Sequence, residues 1–149
     1  IKTILWGYGE ERYAGRIAAM IVREREHNEI KTTQDLAEII EDAVPASYRR
    51  KKIHPATKTF QALRIAVNDE IERLETALKK AFESLVSGGR ICVISFHSIE
   101  DRIVKRYFRE LKDNGLAKRI VKKPVRPSEE EVENNPRSRS AKLRILEKK

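Results

Sequence analysis

Cysteine is nearly absent: one residue, Cys92, in a chain of 149. Disulfides therefore play no part in the fold, and a reducing, cytoplasmic setting is the natural expectation. Long apolar runs are missing too, and nothing approaches the roughly 20 residues that a membrane-spanning helix needs. Neither a membrane partner nor a cleaved leader is expected. Aromatic residues make up only 6% of the chain. No glycine-rich phosphate or dinucleotide loop is present, since Gly7-Tyr8-Gly9 does not follow a strand or complete the wider fingerprint. The three histidines, His27, His54 and His97, are far apart in sequence, so no metal site is expected. Ser95 and Ser98 lack the glycines of a nucleophile elbow. The first residue is not Met, and the chain opens abruptly in I-K-T-I-L-W, which reads as part of a longer polypeptide.

Positive charge is plentiful and unevenly placed. Residues 1–75 hold 13 Lys and Arg against 13 Asp and Glu, whereas residues 76–149 hold 19 against 10. The second half thus carries the whole net charge of +9. A basic half points to a polyanion, with nucleic acid the leading class.

Apolar spacing organises the first half into helices. Tyr13, Ile17, Met20 and Ile21 mark one over residues 10–27. Thr32 caps a second with Asp35, and Pro45 stops it. A basic loop, Tyr48 to Lys52, leads into His54-Pro55-Ala56-Thr57, where Pro55 suits a first helical turn and Thr57 or Thr59 a cap. From Phe60 to Leu85 the apolar period runs for about seven turns. Such a helix either bridges two packing environments or breaks once near Asn68, and Gly88-Gly89 ends it.

The second half turns to strands. Residues 90–101, R-I-C-V-I-S-F-H-S-I-E-D, read as a short strand buried on both faces, with Ser98 capping the next helix and Asp101 completing its box. Polar groups and free helix N–H groups then meet at a strand's carboxyl end, where open α/β sheets bind ligands. Residues 118–123 and 141–147 are expected as further strands, the pair resembling a hairpin, with one helical turn between Ser128 and Glu133. Three strands are a thin sheet, so neighbours are expected upstream.

Two segments carry candidate contacts. Lys58, Gln61 and Arg64 project at helical spacing from the 54–64 stretch, and Arg137, Arg139 and Lys142 lie on a Ser/Arg connection. The first set suits phosphates or base edges, the second phosphates or an acidic helix end. Each also suits a solvated surface.

Five blocks taken together resemble one family: G-Y-G-E-E-R-Y-A-G-R-I-A (7–18), H-P-A-T-K-T-F-Q-A-L-R-I-A-V-N-D-E (54–70), G-G-R-I-C-V-I-S-F-H-S-I-E-D-R-I-V-K (88–105), K-P-V-R-P-S-E-E-E (123–131) and N-P-R-S-R-S-A-K-L-R (135–144). It is the bacterial ribosomal small-subunit RNA methyltransferase H family, which methylates N4 of a cytidine in 16S rRNA with S-adenosylmethionine. The resemblance implies an α/β fold: the C-terminal part of a Rossmann-like class I methyltransferase sheet plus an all-helical inserted domain. Residues 1–67 would be most of the insert and residues 68–149 the returning half of the sheet.

The resemblance also implies that the family's cofactor loop and acidic motifs lie in an N-terminal half that these residues do not contain. By itself the chain is then expected to be inactive, with the missing half as a partner beside 16S rRNA and the small ribosomal subunit. A sulfonium methyl group is already activated, so the enzyme's task is to place the cytosine amine and exclude water. On this reading Ser95, His97 and Ser98 face cofactor and base, and only Ser95 is a candidate for touching the cofactor. His54, Lys58, Thr59, Gln61 and Arg64 meet the incoming RNA, and Arg137, Arg139 and Lys142 its backbone. The rival reading is a non-catalytic basic module that docks on rRNA.

Overall fold

The computed structural model describes residues 1–149, which divide into two compact units, Ile1–Glu70 and Ile71–Lys149. Each has its own buried cluster of apolar side chains.

The first unit is all helix: α1 (Lys2–Gly9), α2 (Ala14–His27), α3 (Thr33–Ala43), the single turn α4 (Ala46–Arg49) and α5 (Thr57–Val67). Residues 10–27 do not form one helix. Glu10 takes a left-handed conformation (φ 48°) and closes α1, so α2 starts only at Ala14. Thr32 and Asp35 form the expected capping box on α3. Neither Thr57 nor Thr59 caps α5; Ala56 holds that position without a side-chain bond. Gly9 lets α1 and α5 approach closely. A Cβ there would sit 2.7 Å from the Lys58 carbonyl oxygen and 3.2 Å from Ala62 Cβ.

The long apolar period is broken once, as one of the two expectations had it. α5 ends at Val67, Asp69 adopts φ 51°, and α6 spans Glu70–Glu83. Asp is among the few residues with a side chain that tolerate this left-handed region. The glycines do not cap α6, which ends five residues before Gly88. Lys148 does so instead: its Nζ donates to the carbonyls of Phe82, Glu83 and Leu85 at 3.1, 3.3 and 2.7 Å. A cation there also complements the helix dipole.

In the second unit β1 (Arg90–Ser95) is followed by α7 (Ser98–Asp113), β2 (Ala117–Arg119), α8 (Glu129–Asn134), a 3₁₀ helix (Pro136–Ser140) and β3 (Lys142–Lys148). The strand order is β1-β3-β2, and both pairings to β3 are antiparallel. β2 and β3 are neighbours but not a hairpin, because α8 and the 3₁₀ helix lie between them. β2 is also shorter than residues 118–123: Ile120 still donates to Ile145, after which the chain leaves and touches β3 again only at Val125–Leu143. Glu147 ties the three strands together, 2.8 Å from Arg90 Nε and 2.7 Å from Lys118 Nζ.

β1 is not buried on both faces. Ile91 and Val93 pack with Leu78 and Phe82 of α6 and Val104, Phe108 and Leu111 of α7. Cys92 is exposed on the opposite face, with Ile94 at 58%. The even run of apolar residues hid a strict alternation, since β-branched residues suit a strand whichever face they occupy.

Candidate functional site

The carboxyl end of β1 sits opposite the start of β3, with Ser95 in register with Lys142 and Ile94 with Leu143. The 3₁₀ helix bearing Arg137 and Arg139 leads directly into that end of β3. Ser95, His97, Ser98, Arg137, Arg139 and Lys142 are thus brought to one edge of the sheet.

Within that edge the polar groups are largely engaged. Ser95 is buried, and its hydroxyl donates to the Lys142 carbonyl at 3.4 Å. The residue capping α7 is His97, not Ser98, which is the first helical residue. His97 Nδ1 accepts from the Glu100 amide at 3.4 Å. Glu100 reaches back to the amides of Phe96 and His97 at 2.9 and 3.3 Å. An imidazole nitrogen serves as a cap acceptor just as a hydroxyl does, which a search for Ser, Thr, Asp or Asn overlooks. His97 Nε2 lies 3.2 Å from Glu100 Oε1. Burial opposes ionisation of Glu100, but bonds from the His97 side chain and the Phe96 amide outweigh it and hold the carboxyl below its ordinary range.

Asp101 is likewise not a capping-box partner. It spans to β3, taking Arg144 Nε at 2.7 Å, Arg144 Nη2 at 3.2 Å and Lys142 Nζ at 3.2 Å. Its side chain and that of Arg144 are only 13% and 11% exposed. Burial again opposes ionisation, while the Arg144 and Lys142 bonds lower the Asp101 pKa overall. Lys142 is therefore an internal counter-charge here. Arg137 and Arg139 are exposed and make no ion pair, so they are available to an external anion.

In the helical unit four of the five predicted contacts, His54, Lys58, Gln61 and Arg64, are bonded within the fold, and the fifth, Thr59, is buried. Lys58 Nζ donates to the Glu10 carbonyl at 3.0 Å, at the C-terminus of α1. Gln61 Nε2 donates to the Tyr8 carbonyl at 3.4 Å. Thr59 is fully buried, and its hydroxyl has no partner. Arg64 forks onto Glu70 at 2.8 and 3.0 Å. His54 accepts from the Ala56 amide through Nδ1 and lies 3.0 Å from Glu41 through Nε2. One residue missed in the sequence is Glu11, a charged side chain with no exposure at all, bonded to Tyr13 and Tyr48. Its position between Gly9 and Tyr13 resembles an ordinary surface turn, and nothing in the local pattern signals burial.

The residues at the β1 edge do not by themselves fit a nucleoside cofactor. Ser95 and His97 Nδ1 spend their polar atoms on the backbone, and no glycine-rich loop lies beside them.

Helices packed on a small antiparallel sheet, with polar groups gathered at one strand's carboxyl end, define a protein of mixed helix and strand. The chain belongs to the MraW methylase family, whose model matches residues 1–149. It is 54% identical to "Ribosomal RNA small subunit methyltransferase H" of Halothermothrix orenii, over 99% of this chain and 52% of that protein. It is 54% identical to the protein of the same name from Trichormus variabilis, over 100% and 47%. The one from Nostoc punctiforme is 56% identical, over 99% and 48%. The chain spans about half the length of the curated relatives it matches. The family suggested by the five sequence blocks is the family found.

Proposed function

We propose that these residues form one side of an S-adenosylmethionine-dependent methyltransferase that acts on N4 of a cytidine in 16S rRNA. The carrying observation is the family match along the whole chain, joined to relatives named as ribosomal RNA small-subunit methyltransferases. The helical residues 1–67 serve as an inserted domain and residues 68–149 as the returning half of a Rossmann-like sheet. The protein works in the cytoplasm, where its rRNA substrate is.

The cofactor is held mainly by residues outside these 149, because the β1 edge offers a wall and not a cradle. Ser95, His97 and Ser98 shape that wall: the His97–Glu100 box fixes where α7 begins, and Ser95 locks β1 to β3. Bond-making chemistry needs little else from them, since positioning an amine against an activated methyl group is the main task. Arg137 and Arg139 take RNA phosphates. His54, Lys58, Thr59, Gln61 and Arg64 act by fixing the helical unit on which RNA docks.

Methyl transfer to small-subunit rRNA tests this reading. The chain extended upstream to the length of its relatives should label the rRNA at cytosine N4, and the 149 residues alone should not. The alternative, a non-catalytic rRNA-binding module, is favoured by the structural engagement of the β1-edge groups. It predicts RNA binding without transfer even in the extended protein.

A further inference from the structure

Four of the twelve lysines and arginines in residues 1–70 stand together at Arg49, Arg50, Lys51 and Lys52. All four are exposed. Arg50 and Lys52 make no ion pair, Arg49 comes only within 4.0 Å of Asp42, and Lys51 rests 4.8 Å above the Tyr48 ring. Four adjacent like charges repel one another, and such a run is ordinarily loose. Here the backbone is wound into a turn, with the amides of Arg49, Arg50 and Lys51 donating to Pro45, Ala46 and Tyr48 at 3.2, 3.2 and 3.3 Å.

The turn is pinned from beneath. The Tyr48 hydroxyl donates to Glu11 Oε2 at 2.9 Å, and Glu11 Oε1 accepts from the Tyr13 amide at 2.8 Å. Tyr13 and Tyr48 also meet edge to face, with centroids 4.9 Å apart. Burial, then the Glu11 bond, push the Tyr48 hydroxyl up to about 12, so it remains a donor throughout the neutral range. Withdrawing a glutamate wholly from water is costly, and an apolar side chain would fill such a space more cheaply. What the carboxylate adds is a fixed direction for Tyr48, and hence for the cations that follow it.

We infer that Glu11 and Tyr48 form a latch that presents Arg49–Lys52 as a docking surface for the phosphate backbone of RNA. The inference rests on the reading that the substrate is rRNA. Phosphates suit the surface better than an acidic protein does, because cores of protein interfaces are depleted in lysine and built on apolar anchors. Next to this run in sequence, Ile53 is the one large exposed apolar side chain. Arg49–Lys52 contact the ligand; Glu11 and Tyr48 are positioning residues.

The test is binding of the chain to a short RNA cut from small-subunit rRNA, measured across a salt series. Arg50→Ala/Lys52→Ala should weaken binding about tenfold and lower the slope of log affinity against log salt by about 1.4, two phosphate contacts at about 0.7 each. Lys79→Ala/Lys80→Ala, equal in charge removed and also exposed, should keep the parent slope. Tyr48→Phe should cost about threefold, one hydrogen bond's worth, while Glu11→Gln, which keeps an acceptor for the hydroxyl, stays within about twofold. Equal losses in the two double variants, or an unchanged slope in the first, would overturn the surface. Unchanged binding by Tyr48→Phe would overturn the latch. Competition by poly-aspartate as strong as by RNA would assign the surface to an acidic polypeptide and also overturn the proposal. If the parent bound no RNA, the rRNA reading itself would fall; parent binding with an unmoved slope overturns this inference alone.

Discussion

Asp101 illustrates how much one carboxylate can organise when it is shared. It sits on the first turn of α7, yet its partners, Arg144 and Lys142, belong to β3. Asp101→Asn keeps the shape and removes the charge, leaving a buried guanidinium without its counter-ion. A loss of about 2 kcal/mol is expected, below the range for fully buried pairs because the site keeps some solvent contact. Urea denaturation measures it. The pH dependence has a definite sign. The Asp101 and Glu100 carboxyls both titrate lower in the folded protein than in the unfolded chain. In acid the unfolded chain therefore binds more protons, so stability is full above the ordinary carboxylate range and falls as pH drops through the folded values. The Asp101→Asn variant should show a shallower decline as pH falls below the ordinary carboxylate range. At the neighbouring position, Glu100→Ala removes half of the His97 box and should cost about 1 kcal/mol, read from the same titration.

Among the elements, α1 and α5 approach most tightly at Gly9. Gly9→Ala forces a methyl group against the Lys58 carbonyl and should destabilise the protein by about 2 kcal/mol. Gly7→Ala, on the same helix and with nothing within 4 Å of the added Cβ, should be neutral or raise stability by about 0.5 kcal/mol. Thermal melts of the two variants separate close packing from helix propensity. Elements are also where reading from sequence succeeded best. The Thr32–Asp35 box and the break near Asn68 both depend on local chemistry, which a sequence displays. Features set by distant partners were not legible. Lys148 capping α6, Lys142 and Arg144 meeting Asp101, and Lys58 closing α1 each join residues more than 40 positions apart. The same separation explains why groups with the chemistry of RNA contacts, such as Lys58 and Lys142, are occupied inside the fold. Arg137 and Arg139, on the 3₁₀ helix, remain exposed and without an ion pair.

For the molecule as a whole, the five motif blocks in their order pointed to the family, and the structure adds a division of labour. The helical unit is nearly charge-balanced but concentrates cations on one turn, whereas the α/β unit holds a sheet whose Cys92–Ile94 face is exposed. A sheet with one apolar face open, in a chain half the length of its relatives, agrees with a cofactor site completed by other residues. Titration calorimetry with S-adenosylmethionine tests that claim most directly, on the 149 residues alone and on the protein extended upstream to its relatives' length. No measurable heat of binding is expected for the 149 residues, and one-to-one binding for the extended protein. Saturable one-to-one binding by the 149 residues alone would contradict it.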